Sequence, residues 1–280
     1  MISKRDTLMG LGAVVGAGAL PLAAFAADQP KSSAGVNSAP EIEQTPEATV
    51  ADNHDIITLD DPRFKVFFEA RKAYWSRLGR VEDDVIAYIL SPQFTGAPAW
   101  PTTRQAFFII RTPDSVIIAS DGLSDLFVDT KIADAGFECE VYIETDALVG
   151  ASFEQIRDSW AFGVIESFAR NVADWGGINA KLDRYGVLST QLPVTASLPR
   201  GWLDDDDSVG VLVNIAHPAR PEKLMLDGVS EIKIVSVTLI TTKELNYVAR
   251  GGAAAREQIV KQLKARTHPT LSSVRRAELV

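Results

Sequence analysis

The 280-residue sequence holds one cysteine, Cys139, and three histidines, His54, His217 and His268. A single thiol excludes an intramolecular disulfide framework and a cysteine metal cage. The histidines are too scattered to share a helix face or a loop, so no histidine zinc motif is present. No Gly-x-Ser-x-Gly elbow exists to present a serine to His217, and neither a phosphate-binding glycine loop nor a dinucleotide fingerprint occurs. Positive charge is scarce, with a formal net charge of −9. That balance works against binding nucleic acid or an anionic membrane, because both need a basic patch to neutralise phosphate. Past residue 30 no apolar run is long enough to span a bilayer. The sequence gives no reason to expect a cofactor or a bound metal.

What is present is the composition of a soluble globular protein, 46% apolar and 23% charged. Residues 1–26 form a three-part export signal: Lys4 and Arg5 at the start, an uncharged Ala-, Gly- and Leu-rich stretch, then the small-residue site Ala24-Phe25-Ala26. Cleavage is expected between Ala26 and Ala27. The membrane is then touched only in transit, and the mature chain works in the periplasm or is secreted. Ser3 to Leu8 resembles the twin-arginine export pattern, although Lys4 replaces its first arginine and Thr7 stands where a bulky apolar residue is usual. Both export routes stay open. Residues 27–55 are rich in Pro, Ser, Ala, Glu and Thr, bury too little to offset ordering entropy, and read as a flexible linker.

A single domain is expected over 56–266. Asp61-Pro62 marks a helix start, and Phe64, Phe67, Phe68, Arg71, Tyr74, Trp75 and Leu78 share one face. Strands are expected over 105–111 and 116–120, joined by a tight turn at Thr112-Pro113-Asp114-Ser115. Over 137–144, Phe137, Cys139, Val141 and Ile143 alternate with Glu138, Glu140, Tyr142 and Glu144, predicting a strand with one buried and one polar face. Ser152 with Gln155 opens a helix to about residue 175, closed by Gly176 and Gly177. A short helix over 179–185 and strands over 209–215 and 232–240 follow. Thr241 with Glu244 opens a last helix interrupted at Gly251-Gly252 and ending near 266. Residues 267–280 read as a disordered tail. The fold class is α+β: one twisted mixed or antiparallel sheet with helices packed against it.

Few residues invite chemistry. Cys139 sits on the apolar face of its strand, where a thiol keeps its proton. His217 lies in a loop before Pro218. The acidic run Asp204 to Asp207 lacks the spaced ligands and glycine of a calcium loop and reads as a solvated turn. Glu138, Glu140 and Glu144 suggest paired carboxylates, but polar residues are expected on the wet face of a half-buried strand, and that reading is preferred. The most unusual run is Ser120-Asp-Gly-Leu-Ser-Asp125, a polar turn directly after a strand, which is either a structural corner or a recognition loop.

Asp121-Gly-Leu-Ser124, Gly136-Phe-Glu-x-Glu140, Phe168-Ala-Arg-Asn-Val172 and the strand from Ile234 running into Thr241-Thr-Lys-Glu-Leu245 resemble, in order and spacing, the suppressor-of-fused-like domain. The resemblance spans about residues 60–250. It implies an α+β fold and a protein-binding rather than enzymatic role. Members of that family enclose a peptide strand, and bacterial relatives include toxin-neutralising immunity proteins. The export signal departs from the mostly cytoplasmic immunity relatives. The expectation is therefore an exported non-enzymatic module with a protein or peptide partner, Asp121, Ser124 and Asp125 lying near the contact surface. An envelope hydrolase using clustered carboxylates and a toxin-neutralising immunity protein stand as the alternatives.

Overall fold

A computed structural model describes residues 56–131, 134–194 and 198–280. The expected export signal, its expected cleavage between Ala26 and Ala27, and the expected 27–55 linker lie outside the described residues. Among the described residues no helix is long and apolar enough to cross a membrane.

The first helix, α1 (Arg63–Ser76), starts where Asp61 accepts a hydrogen bond from the Arg63 backbone N–H at 2.9 Å. Two short strands, β1 (Arg80–Val81) and β2 (Ile86–Ala87), lead to the hairpin of β3 (Ala106–Arg111) and β4 (Val116–Asp121). The Thr112 to Ser115 turn joins them, and the pair is antiparallel as its length requires. β5 (Cys139–Thr145) follows, then α2 (Phe153–Arg157) and α3 (Trp160–Asp174). Ser152 and Gln155 make the anticipated capping box, but the helix breaks after one turn. Ser159 then caps α3 afresh, accepting from Phe162 N–H at 3.2 Å. The rest of the chain runs α4 (Asn179–Tyr185), β6 (Leu188–Pro193), β7 (Ser208–Val213), β8 (Lys223–Met225), β9 (Glu231–Ile240) and α5 (Thr242–Lys264). Thr241 and Glu244 cap α5 as a second capping box. Within α5, Gly252 sits at φ 60° and ψ −139°, a backbone state open to glycine, and the helix axis breaks there.

The strands form one mixed sheet in the order β1-β3-β4-β5-β9-β7-β6, with β2 also on β3 and β8 also on β9. Only the β5–β9 pairing is parallel; the others are antiparallel. The fold is thus α+β.

One expectation about the sheet is corrected. Its second face is not polar and wet but covered. On the first face, α3 lays Trp160, Ala161, Val164, Ile165, Phe168 and Val172 over Ile109, Ile118, Cys139, Val141, Val211 and Val237. On the second face, Phe67, Tyr74 and Trp75 of α1 pack on Phe108, Ile110, Ile117, Tyr142 and Ile234. Beyond α1, Val248, Ile259 and Leu263 of α5 cover Leu212 and Ile240. Each fully buried large apolar side chain contributes roughly 1.5–3 kcal/mol, so both faces carry the domain's stability.

The disordered tail is corrected as well. Thr270 and Ser272 are fully buried. The Ser272 N–H bonds the Glu144 carbonyl at 2.8 Å, and the Leu239 N–H bonds Ser272 Oγ at 3.1 Å. Arg276 pairs with Glu244, which is itself fully buried. Polar anchors into an existing sheet hold the tail, with Val274 and Leu279 packed against the core beside them.

Candidate functional site

Three places gather polar or open features. The first is the turn after β4. Its Asp121, Ser124 and Asp125 are 0%, 0% and 3% exposed, so they face inward rather than toward a partner. Arg71 of α1 reaches into the turn. Its Nε donates to Asp121 Oδ1 at 2.7 Å, its Nη1 to Ser124 Oγ at 3.1 Å and its Nη2 to Asp125 Oδ1 at 2.7 Å. Arg104 donates to the other Asp121 oxygen. The turn also closes around Glu140 of β5. Glu140 accepts from Gly122 N–H at 3.1 Å, Ser124 N–H at 3.0 Å and Ser124 Oγ at 2.7 Å, and from Ser120 Oγ.

Two guanidinium groups thus face three buried carboxylates. Burial pushes the Glu140 carboxyl above its ordinary range, Arg71 opposes that, and the neighbouring Asp121 adds to it. Gly136 makes the closure possible. At φ 55°, a Cβ there would stand 2.4 Å from the Asp125 carbonyl oxygen and 2.5 Å from that of Leu123. The turn therefore ties α1, β4 and β5 together from inside, and Asp121, Ser124 and Asp125 lie buried in that tie rather than exposed on a surface. A sequence signal for it exists. Arg71 occupies the apolar stripe of α1, and a cation on a buried stripe needs buried carboxylates, which the acidic corner after β4 and Glu140 of β5 supply.

A second cluster lies where the tail returns to the sheet. Glu144 accepts from Arg220 at 2.7 and 2.6 Å, from Ser115 Oγ at 2.7 Å and from Thr270 Oγ1 at 3.0 Å. Burial pushes the Glu144 carboxyl up, but Arg220 and the two hydroxyls outweigh it and hold the group below its ordinary range. His217 and His268, remote in sequence, stand 6.5 Å apart between ring centroids. His217 Nδ1 accepts from Ala219 N–H at 3.1 Å, and burial lowers the basicity of the ring. Among the described residues no group of three His, Cys, Asp or Glu side chains is arranged to hold a metal ion.

The other singled-out residues serve structure. Cys139 is fully buried, and burial pushes its thiol far above the ordinary value. Asp204 accepts from Asp206 N–H at 3.0 Å and Ser208 N–H at 2.9 Å, organising its own acidic turn. Glu138, at φ 51°, is exposed before β5, whereas Glu140 and Glu144 are buried. The three glutamates do not converge on one concavity.

The third place is the sheet's open edge. The opposite edge is divided between β1 and β2, two residues each on β3, and offers little continuous backbone. β6 is six residues long and, among the described residues, pairs on one side only, with β7. Val194 N–H bonds the Asp207 carbonyl at 3.1 Å, continuing the β6–β7 register, and this sets the phase. Leu188, Thr190 and Leu192 exchange hydrogen bonds with β7, so Ser189 and Gln191 turn N–H and C=O outward. Pro193 also falls on the outward phase, where its missing donor costs the ladder nothing.

Beside this edge α5 leaves two adjoining hollows of about 310 Å³ each, with Arg256 in the wall of both. One is bounded by Ser189, Thr190 and Gln191 against Leu245, Val248 and Ala249. The other is bounded by Tyr185 and Val187 against Val260, Lys261 and Lys264. Leu188-Ser-Thr-Gln-Leu-Pro193 is a weak strand by composition, which is why the sequence does not reveal this edge. Its terminal proline is the one hint, since proline in a sheet marks an edge.

No family model matches the sequence, and no curated protein matches it. Among solved structures the chain is similar to one described as the Sufu-Fu complex crystal structure. The identity is 13%, the match covers 76% of this chain and 90% of that chain, and the TM-score is 0.44.

Proposed function

We propose that the chain is an exported, non-enzymatic binding module of the suppressor-of-fused-like type, which captures a polypeptide by adding an extended segment to β6. The observation that carries this reading is the outward backbone of Ser189 and Gln191 beside the hollow under α5. An unpaired edge supplies main-chain hydrogen bonds to an incoming strand, and adjacent hollows accept its alternate side chains. The ordered motifs that resemble the suppressor-of-fused-like domain support the same class of role, and the signal-like pattern of residues 1–26 supports action outside the cytoplasm.

The test uses the full chain with a photo-crosslinking side chain in place of Thr190, irradiated in cells that export it. The expected result is an adduct with a discrete polypeptide, recovered from the envelope or medium with a mature N-terminus at Ala27. Ser189→Pro removes one outward N–H without touching the β7 ladder and should abolish the adduct. Hydrolysis of an envelope polymer that is lost in Glu138→Gln would overturn the reading in favour of an enzyme.

A further inference from the structure

The hollows beside β6 are chemically asymmetric. At the Ser189 to Gln191 end, the α5 wall is Leu245, Val248, Ala249 and Gly252, with Arg256, which lines both hollows, as its one charged side chain. At the Tyr185 to Val187 end it is cationic: Arg256, Lys261 and Lys264 stand against one carboxylate, Glu257. Among the described residues, neither these three cations nor Glu257 enters an ion pair, whereas Arg71, Arg104, Arg220 and Arg276 are all paired. An unpaired basic stripe on a chain of net charge −9 runs against the field of the rest of the molecule. On a chain of net negative charge, a local cluster of unpaired cations favours the landing of an anionic segment at this place.

We infer that the occupant of the β6 edge is an extended segment of another polypeptide that is apolar at one end and rich in Asp or Glu at the other. This inference rests on the strand-addition reading and deepens it. The apolar residues fill the hollow under Leu245 and Val248 while the carboxylates lie along Arg256, Lys261 and Lys264. β6 has six residues, which at about 3.3 Å each gives a seat roughly 20 Å long. A segment of six to eight residues fills it, short enough for charge placement to fix the direction in which it runs.

The probe is a labelled octapeptide of alternating Val and Thr closed by three Glu, compared with a counterpart closed by three Lys. Binding to the full chain is read by fluorescence anisotropy at low and high salt, and contact by hydrogen-exchange protection of the β6 amides. The glutamate peptide should bind at least tenfold more tightly than the lysine peptide, weaken as salt rises, and protect Ser189 and Gln191. The double variant Lys261→Glu with Lys264→Glu should reverse the preference between the two peptides. Both lysines are exposed, so the fold should survive, as circular dichroism would register. If both peptides protect β6 equally, or the double variant leaves the preference unchanged, the acidic assignment fails while strand addition stands. If neither peptide protects β6 at any salt, strand addition at this edge fails with it.

Discussion

Replacing Arg71 by Met probes the buried network most directly. The side chain is fully buried and donates to Asp121, Ser124 and Asp125, with Glu140 Oε1 3.7 Å from its Nε. Met preserves much of the apolar stem, so the loss is mainly electrostatic. Asp121 keeps Arg104, Asp125 keeps that same guanidinium only at 4.0 Å, and Glu140 keeps its N–H and hydroxyl donors. Removing one partner of a buried ion pair costs about 3–5 kcal/mol. With two carboxylates losing direct contact, we expect the middle of that range, about 4 kcal/mol. A domain of this size shifts by roughly 2–4 °C per kcal/mol, which puts the melting temperature about 8–16 °C lower. Urea unfolding followed by tryptophan fluorescence measures it, since Trp75 lies on the same helix. Adding Asp125→Asn to Arg71→Met removes one of the stranded charges and should recover part of the loss. A loss below about 1 kcal/mol for Arg71→Met, or strict additivity in the double variant, would refute the coupling and the architectural role of the turn.

Three further outcomes follow from the geometry. Glu144 is held below its ordinary value of 4.5, so its stabilisation is present above that pH and lost as pH falls through the folded-state value; Glu144→Gln should flatten the acid limb of a stability–pH curve while lowering stability at pH 7. Arg276→Met should cost about 3 kcal/mol by chemical denaturation, because it leaves the fully buried Glu244 without its cation; an unchanged midpoint would return residues 267–280 to the status of a loose tail. Cys139→Ala should cost about 1–2 kcal/mol through lost packing, and a bulky thiol reagent should label the native protein only at the rate at which it unfolds.

Local chemistry determined much of this protein from sequence alone. Capping boxes at Ser152 and Thr241, the tight turn after Arg111, and the alternation around Cys139 specify their elements because each depends on residues within a few positions. The expectation of an export signal over residues 1–26 likewise rests on a local pattern. Contacts across long separations were decided only by the tertiary structure. Glu140 and Glu144 look like surface residues in an alternating strand, and they are buried because α1 and the returning tail supply Arg71, Thr270 and Ser272 from 69 to 128 residues away. The pairing of Asp121 and Asp125 with a helix 50 and 54 residues earlier is of the same kind, and it turns an apparent recognition loop into an internal tie. The candidate site also depends on topology. Whether Leu188–Pro193 is an edge is set by which strands stand beside it, and six residues of modest β-propensity carry no record of that. Side-chain pattern specifies which face of a strand is buried. The free edge exists because the sheet order ends at β6, and its charge because α5 folds back alongside.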